Sequence, residues 1–289
     1  MNISIALCTF NGEQHIDKQL NSILNQSFPV NEIIVCDDAS TDGTIRIIED
    51  FKSKFPDIIS IYKNLVNKGA IRNFENAISL TTGDFIFLAD QDDIWKKNKV
   101  EKIMKVFQSD PYAIMIFSNG DLIDKDGKYL GNSLWDQWGF NNEMQKRWGN
   151  NIFAFNDLLK NNNKVTGATI AFRRKLINIV IPFNVPNNYW HDTWLALHAA
   201  AINGLRYIDE CLIQYRIHSN QQIGLPTSDR ITINQNNFDE SISIDEFYMR
   251  VQSKFPKLFP EENILMQTKK RLKFFLKPYY QKLKSFFDY

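Results

Sequence analysis

Residues 85–95 read FIFLADQDDIW, and this stretch decides the fold. Its first five residues are an unbroken apolar run, the pattern of a strand buried on both faces at the centre of a sheet covered by helices. The run stops at Asp90, Gln91, Asp92 and Asp93, which sets carboxylates at the end of a buried strand. Residues i and i+2 of an extended segment point the same way, so Asp90 and Asp92 address one site while Gln91 points elsewhere. Two hard oxygen donors on one side suit Mn²⁺ or Mg²⁺, ions that keep positions open for water and substrate phosphates. The same aspartates would also serve as solvated residues or as caps of the following helix. Asp-x-Asp alone does not separate these readings; its place behind a buried strand favours the metal.

Outward from this strand the pattern repeats. Residues 3–8, 32–36 and 58–62 read as strands. The helical patterns that follow them place Ile16, Leu20 and Ile23 on one face, then Ile45, Ile48 and Phe51, then run through residues 67–80. A helix over 97–107 and a fifth strand over 113–117 continue the series. Such alternation predicts an α/β fold with a mostly parallel central sheet flanked by helices. Thr9, Asn11, Asp37, Asp38, Asp90 and Asp92 all fall at carboxyl ends of strands, the edge where open α/β sheets bind ligands.

Beyond Gly120 the character changes. A hairpin-like Asp-Gly turn stands at 126–127 and is followed by a tryptophan-rich polar stretch. Residues 165–174 read as a strand, a helix begins near His191 or Asp192, and residues 204–217 supply further strands. The domain reading is a single domain over 1–225, with a nucleotide-binding half at 1–120 and a second half at 121–225. A polar loop and a basic helical tail follow over 226–289.

The chain has 289 residues and a formal charge of +1, which argues against a general nucleic-acid binder. Charge is polarised along it: residues 267–289 hold seven Lys or Arg against one Asp, net +6, leaving −5 for the rest. Leu272, Phe275, Tyr279, Leu283 and Phe286 lie there at helical spacing with lysines between them. That is the composition of an interfacial helix broken at Pro278, or of a helix packed on the body. Cys8, Cys36 and Cys211 sit in apolar runs with no CxxC spacing, as thiols do in a reducing compartment. The sequence opens on a strand rather than a charged leader, and no apolar run reaches the ~18 residues of a membrane span. The expectation is a cytoplasmic protein, with the tail giving peripheral contact to the anionic inner face of a membrane.

Two further clusters carry chemistry. In YWHDTW, residues 189–194, Asp192 stands at a helix start among aromatic side chains, where desolvation raises a carboxylate's basicity and suits it to accept a proton. It is equally placed to act as an N-cap, and His191 to be a packed histidine. In YRIHSN, residues 215–220, Arg216 and His218 alternate to one face, a cation and an imidazole suited to a diphosphate or its metal; a solvated strand-end arginine reads the same way. Trp135, Trp138, Trp148 and Trp190 offer ring faces to a sugar, Trp135 or Trp138 before Trp148, with core packing as the alternative for each.

In chain order, TFN, VCDDASTDGT, NKG, GDFIFLADQDDIW, TGA, HD and YRIHSN resemble glycosyltransferase family 2, whose members have the GT-A fold. The resemblance spans about residues 3–224. The DQDDIW variant is most similar to the bacterial rhamnosyltransferase-like branch that builds O-antigens and capsules. What the resemblance implies is a nucleotide-diphosphate sugar donor (dTDP-rhamnose or a UDP-hexose), a divalent cation, a glycan or lipid-linked acceptor, and inversion by direct displacement. It places Thr9, Asn11, Asp38, Lys68, Gly69, Asp90, Gln91 and Arg216 on the donor, with Asp38 at the base and Asp90 at the ribose. It gives the metal Asp92, with Asp90 and His218 beside it, makes Asp192 the catalytic base, and leaves Trp135, Trp138, Trp190 and His191 for the acceptor. Many relatives carry Glu-Asp where this chain has His191-Asp192. There is no QxxRW segment and no membrane span, which favours single transfer over processive synthesis. A His-Asp phosphohydrolase, a sugar-nucleotide pyrophosphorylase and a catalytically silent glycan binder are the rival readings.

Overall fold

The computed structural model describes residues 1–218, apart from 161, 187 and 188, together with Met249 and Ser253. The expected polar loop and basic tail fall outside the described residues, those last two positions aside. The chain divides into two compact units, Met1–Ile242 and Ser243–Tyr289, and every element named below belongs to the first.

Strand β1, Ile3–Thr9, is buried at every position and leads into helix α1, Ile16–Leu24, which turns Ile16, Leu20 and Ile23 to the core. Then follow β2, Glu32–Asp37; α2, Thr44–Lys54; β3, Ile59–Lys63; and α3, Ala70–Leu80. Strand β4, Phe85–Ala89, is the fully buried strand expected, and the acidic loop after it runs into a two-residue strand, β5, Ile94–Trp95. Helix α4, Lys99–Ser109, and strand β6, Met115–Ile123, come next.

The sheet order is β3-β2-β1-β4, then three later strands and β5. β1 pairs in parallel with β2, Thr9 opposite Asp37, and with β4, Leu7 opposite Ala89. The carboxyl ends of these three strands are therefore level, and the polar residues that follow them share one edge.

Strand β7, Tyr129–Ser133, forms a hairpin with β6 around the Asp-Gly turn. The tryptophan-rich stretch folds as helices α5, Leu134–Trp138, and α6, Asn142–Trp148, followed by α7, Asn151–Leu159. A capping box between Ser133 and Asp136 starts the first of them. The strand expected over 165–174 shortens to β8, Ala171–Arg173, because Gly167–Thr169 closes into a 3-10 turn. β8 lies antiparallel between β4 and β6, so the turn before it emerges at the same edge where β4 ends.

Helix α8, Ile177–Val180, precedes α9, His191–Ala201, which begins where the sequence placed it. A single twelve-residue strand, β9, Leu205–Arg216, replaces the several expected. It runs parallel to β6 and pairs on its other side with β5, which ties the acidic loop to the far end of β9. β6 also runs on past Gly120, where the sequence suggested a boundary. A Cβ there would lie 2.8 Å from Ile213 and 2.9 Å from Leu134, so this glycine marks a close approach inside a strand rather than its end.

Gly83, in the turn before β4, is held against the first strand: a Cβ would meet the Asn2 carbonyl at 2.8 Å and the Ser4 amide at 2.9 Å. Both are backbone atoms, so Gly83→Ala forces β1 and β4 apart. Overpacking of this kind costs about 1–3 kcal/mol, and the variant should melt several degrees lower by circular dichroism. An unchanged melting temperature would show that the two strands have slack.

Candidate active site

The loop after β2 is fastened to the loop after β1. Asp37, which is buried, accepts from the Thr9 hydroxyl at 2.8 Å and from the Ser40 amide at 2.8 Å, and the Asn11 carboxamide oxygen accepts from the Thr41 amide at 2.9 Å. These bonds hold Asn11 (φ 49°) and Ala39 (φ 65°) in the left-handed region. Asparagine tolerates it, whereas alanine pays about 1–2 kcal/mol. Asp38, next in the chain, is buried with its carboxylate accepting from the Lys68 amide, the Gly69 amide and the Asn64 side chain, each at 2.8 Å. Gly69 has φ 81°, which turns its N–H toward Asp38 immediately before α3. The Lys68 and Gly69 contribution is therefore made by backbone and shapes Asp38.

The loop after β4 is held from three sides. Gln91 forms a two-point clamp with the backbone of Phe10, accepting its amide at 2.7 Å and donating to its carbonyl at 2.9 Å. A Cβ at Gly12 would collide with the Gln91 carboxamide, so the glycine makes room for the clamp. Gln19 of α1 donates to the Asp90 carbonyl at 2.7 Å. The third hold is Arg216, wholly buried: its Nε donates to the Asp92 carbonyl at 2.7 Å, its Nη1 to the carbonyls of Asp124 and Lys125 at 3.1 Å, and its amide to Asp93 Oδ1 at 3.0 Å. His218 Nε2 lies 2.9 Å from Asp92 Oδ2, and the His15 and His218 ring centroids are 5.4 Å apart.

The carboxylates repel one another where burial limits screening by water. Burial, then repulsion from Asp92 and Asp192, pushes Asp90 up to about 7, against a partial pull from Lys99. Asp93 is fully buried and likewise raised, chiefly by burial and then by Asp92 and Asp90. Lys99 is the internal counter-charge: its ammonium lies 3.7 Å over the Trp95 ring, donates to the Ala168 carbonyl at 2.7 Å, and is pulled down to about 7 by burial.

Helix α9 supplies the opposite wall. Asp192 Oδ1 accepts from the Thr193 amide at 2.5 Å and from Asn163 Nδ2 at 3.2 Å. Burial pushes this carboxyl up to about 6, with hydrogen bonds from Thr193 and the Gly167 backbone in opposition. His191 is buried, stacked on Phe74 of α3 at 4.2 Å between centroids, and pulled down to about 3 by burial alone. Between these walls is a cavity of about 360 Å³.

Thr9, Asn11, Asp38, Asp90, Gln91, Asp92, His191 and Asp192 line that cavity, so residues up to 183 positions apart in sequence meet in one space. Arg216 is not on its wall: where the sequence suggested a contact with diphosphate, the guanidinium lies behind the acidic loop and is spent on backbone carbonyls. Trp135 is 4 % exposed and packs edge-on to Phe117 and Phe140, with Trp148 in the same cluster, so both follow the core-packing alternative. Trp138 stays partly exposed and donates from Nε1 to Thr166 on the cavity wall at 3.3 Å, while Trp190 caps α9 outside the lining. Sequence reasoning gave no role to Asn73, Phe74 or Tyr215, all of which line the cavity, nor to Lys99. Tyr215 had a signal in its place beside Arg216 in YRIHSN; the others had none.

The family model for glycosyl transferase family 2 matches residues 4–178, more than half of the chain. The protein belongs to that family, and its fold is GT-A. It is 28 % identical over 225 residues to an uncharacterized glycosyltransferase of Haemophilus influenzae, covering 76 % of this chain and 66 % of that one, just under two thirds. It is 43 % identical over 100 residues to the dTDP-rhamnosyl transferase RfbG of Shigella flexneri, covering 33 % of this chain and 34 % of that one. Among solved structures, S. aureus TarS in complex with UDP-GlcNAc aligns with a TM-score of 0.58 at 19 % identity, over 76 % of this chain and 60 % of that one. The mannosyltransferase PcManGT of Pyrobaculum calidifontis, in complex with GDP-Man and Mn²⁺, aligns at 0.52 and 19 %, over 73 % and 55 %.

Arg216→Gln would take the guanidinium donor away from the carbonyls of Asp92, Asp124 and Lys125. A hydrogen bond from a charged donor contributes about 1.5–3 kcal/mol, and the Nε bond from the wholly buried Arg216 to Asp92 is the one water replaces least, so urea unfolding should show a loss of about 2 kcal/mol. A near-neutral result would mean that the acidic loop does not depend on this residue.

Proposed function

We propose that this chain is an inverting, metal-assisted glycosyltransferase. It moves one sugar from a nucleotide-diphosphate donor, dTDP-rhamnose or a UDP-hexose, to a hydroxyl of a glycan or lipid-linked acceptor in bacterial surface polysaccharide synthesis. The observation that carries this reading is the placement of a carboxyl of raised basicity, Asp192, across one cavity from the Asp90–Asp92 cluster. A base and a cation-seeking edge face the same space, as displacement at an anomeric carbon requires.

The donor set fits a hard divalent ion. Among the described residues no group of three or more His, Cys, Asp or Glu closes on one point, so the protein alone does not fill a coordination shell. Ions of the Mg²⁺ type use one or two carboxylates and take the rest from phosphate and water. Asp92 would hold the ion, with Asp90 and His218 beside it, and the mutual repulsion that raises Asp90 is what a cation relieves. When bound, the ion neutralises charge on the departing diphosphate. The Mn²⁺ bound together with GDP-Man in PcManGT supports this choice of chemistry.

The chain's own residues supply the remainder. Thr9, Asn11 and Asp38 border the nucleotide side, Asp38 held in place by the Lys68 and Gly69 amides. Gln91 and Arg216 fix the loop that presents Asp90 and Asp92. Asp192 takes the proton of the acceptor hydroxyl as its oxygen bonds to the anomeric carbon, and the electron pair of the breaking bond leaves with the diphosphate. Trp138 and Trp190, both partly exposed, are the rings left to meet an acceptor. The match to RfbG supports dTDP-rhamnose as a donor, and the TarS complex supports a UDP-sugar. Among the described residues no helix is long and apolar enough to cross a membrane. The basic tail would bring the enzyme to an anionic leaflet carrying a lipid-linked acceptor.

Asp192 must be ionised to accept a proton, so turnover should rise with pH through about 6 and level off above it. The check is release of nucleoside diphosphate from a panel of nucleotide sugars with Mn²⁺ across pH ~4.5 to ~9, a range spanning the ionisation of a raised carboxyl, in wild type and Asp192→Asn. The variant should bind donor normally, lose about 10²–10⁴ in rate, and lack the acidic limb. Full activity in the variant would remove Asp192 from the chemistry.

A further inference from the structure

The bonds that hold the Asp192 carboxylate are of two kinds. The Thr193 amide, at 2.5 Å, and the Thr193 hydroxyl, at 3.2 Å, both donate to Oδ1. Both come from the next residue of the same helix, so they set the side chain relative to its own backbone. The Asn163 carboxamide is different. Its Nδ2 donates to the same Oδ1 at 3.2 Å across 29 positions of sequence, from the segment that joins α7 to the 3-10 turn at Gly167. That segment runs on into Thr166 and Gly167, which line the cavity with Asp192, and the Gly167 backbone also bonds the carboxylate.

Asn163 is itself locked. Its Oδ1 accepts from the Val165 amide at 3.0 Å, and its Nδ2 donates to the Val165 carbonyl at 2.9 Å as well as to Asp192. Both hydrogens of the NH2 group and the carboxamide oxygen are therefore engaged. Turned over, the carboxamide would set its oxygen against the Val165 carbonyl and the Asp192 carboxylate, and its NH2 against an N–H. The network permits only the orientation that donates to Asp192. A base must stand within hydrogen-bond reach of the proton it takes, and bonds made inside one helix do not fix its place relative to a second segment. The bond from Asn163 does.

We infer that Asn163 is the positioning residue of this site: its carboxamide ties the Asp192 carboxylate to the segment leading into Gly167, in the orientation from which it takes the acceptor's proton. This rests on Asp192 being the base of a glycosyltransferase. Asn163 is not on the cavity wall, so it acts on the reaction through Asp192 and makes no bond to the donor. The titratable groups that act on Asp192 from other elements are Asp90 in the acidic loop and Tyr215 on β9, with His191 beside it on α9. Changes at position 163 leave all three in place.

The test compares wild type with Asn163→Ala and Asn163→Asp, using UDP-glucose, UDP-GlcNAc and dTDP-rhamnose with Mn²⁺. Alanine removes the donor; aspartate keeps the shape and an acceptor for the Val165 amide, and puts a second carboxylate against Asp192. Release of nucleoside diphosphate, measured on the plateau above the acidic limb, should fall about 10- to 100-fold in both, the cost of a misplaced reacting group. Calorimetric affinity for the sugar nucleotide should stay within about twofold, since no bond to it is lost. In the aspartate variant the acidic limb should also move up by about one pH unit or more, because adjacent carboxylates resist ionising together. A residue that only supports the fold would not move it. In wild type labelled with ¹⁵N-asparagine, the Asn163 Nδ2 signal should titrate with a midpoint of about 6, following Asp192, and lose that titration in Asp192→Asn; this readout needs neither Asn163 variant to fold. Full rate with an unmoved limb, donor affinity lost along with rate, or an Asn163 signal indifferent to pH would each overturn the assignment. If wild type releases nucleoside diphosphate from none of the donors, the glycosyltransferase reading falls and takes this inference with it. Turnover by wild type with fully active Asn163 variants would sink only the inference.

Discussion

Carboxylates crowded at the end of one buried strand are the constraint on which this structure turns. β4 is buried at every position, and of the carboxylates that follow it Asp93 is fully buried while Asp90 and Asp92 keep only partial exposure on the cavity wall. Two like charges ~6 Å apart at an effective dielectric of ~20 repel by about 3 kcal/mol, and here three sit in one loop with Asp192 across the cavity. The fold answers with cations that cannot leave. Lys99 is buried over Trp95, and Arg216 is buried behind the loop, bonded to its backbone. Those two do not close the balance: Asp90 still stands near 7, and the second oxygen of Asp93 has no hydrogen-bond partner among the described residues. The proposed divalent ion, arriving with a diphosphate, would make up that deficit.

The rest of the architecture serves to bring partners to that edge. Level strand ends place Asp37 and Asp38 beside the acidic loop, and the antiparallel insertion of β8 delivers Thr166 and Gly167 to the same rim. β9 then returns across the molecule to hand Arg216 and His218 to Asp92. The loops carry strain, as the left-handed Ala39 shows, and are over-determined by side-chain bonds from Asp37, Asn11 and Gln91. Rigid placement of this sort lets a small set of polar groups act in concert without reorganising.

The sequence disclosed what local pattern controls. An apolar run that stops at charge is visible in FIFLADQDD, and so are the helix faces of α1 and the start of α9. The carboxyl-end location of Thr9, Asp38 and Asp92 follows from these. What it hid depends on partners far along the chain. Arg216 reads as a diphosphate contact or a solvated strand end because its acceptors, the carbonyls of Asp92, Asp124 and Lys125, are remote in sequence. β5 is too short to show a period and exists only through its pairing with β9. Trp135 and Trp138 stand on one short helix and look alike in sequence, yet one is sealed in an aromatic cluster and the other reaches Thr166. Phe74 reads as an ordinary core position, and its stacking on His191 links helices far apart in the chain.

The most direct measurement is a crystal structure with Mn²⁺ and a sugar nucleotide, the ion located by its anomalous scattering. A divalent ion held by the acidic loop predicts a peak within about 2.6 Å of a carboxylate oxygen of Asp92, with the sugar lying between the acidic loop and Asp192. A nucleotide bound elsewhere, or bound at this edge with the ion remote from Asp92, would contradict it.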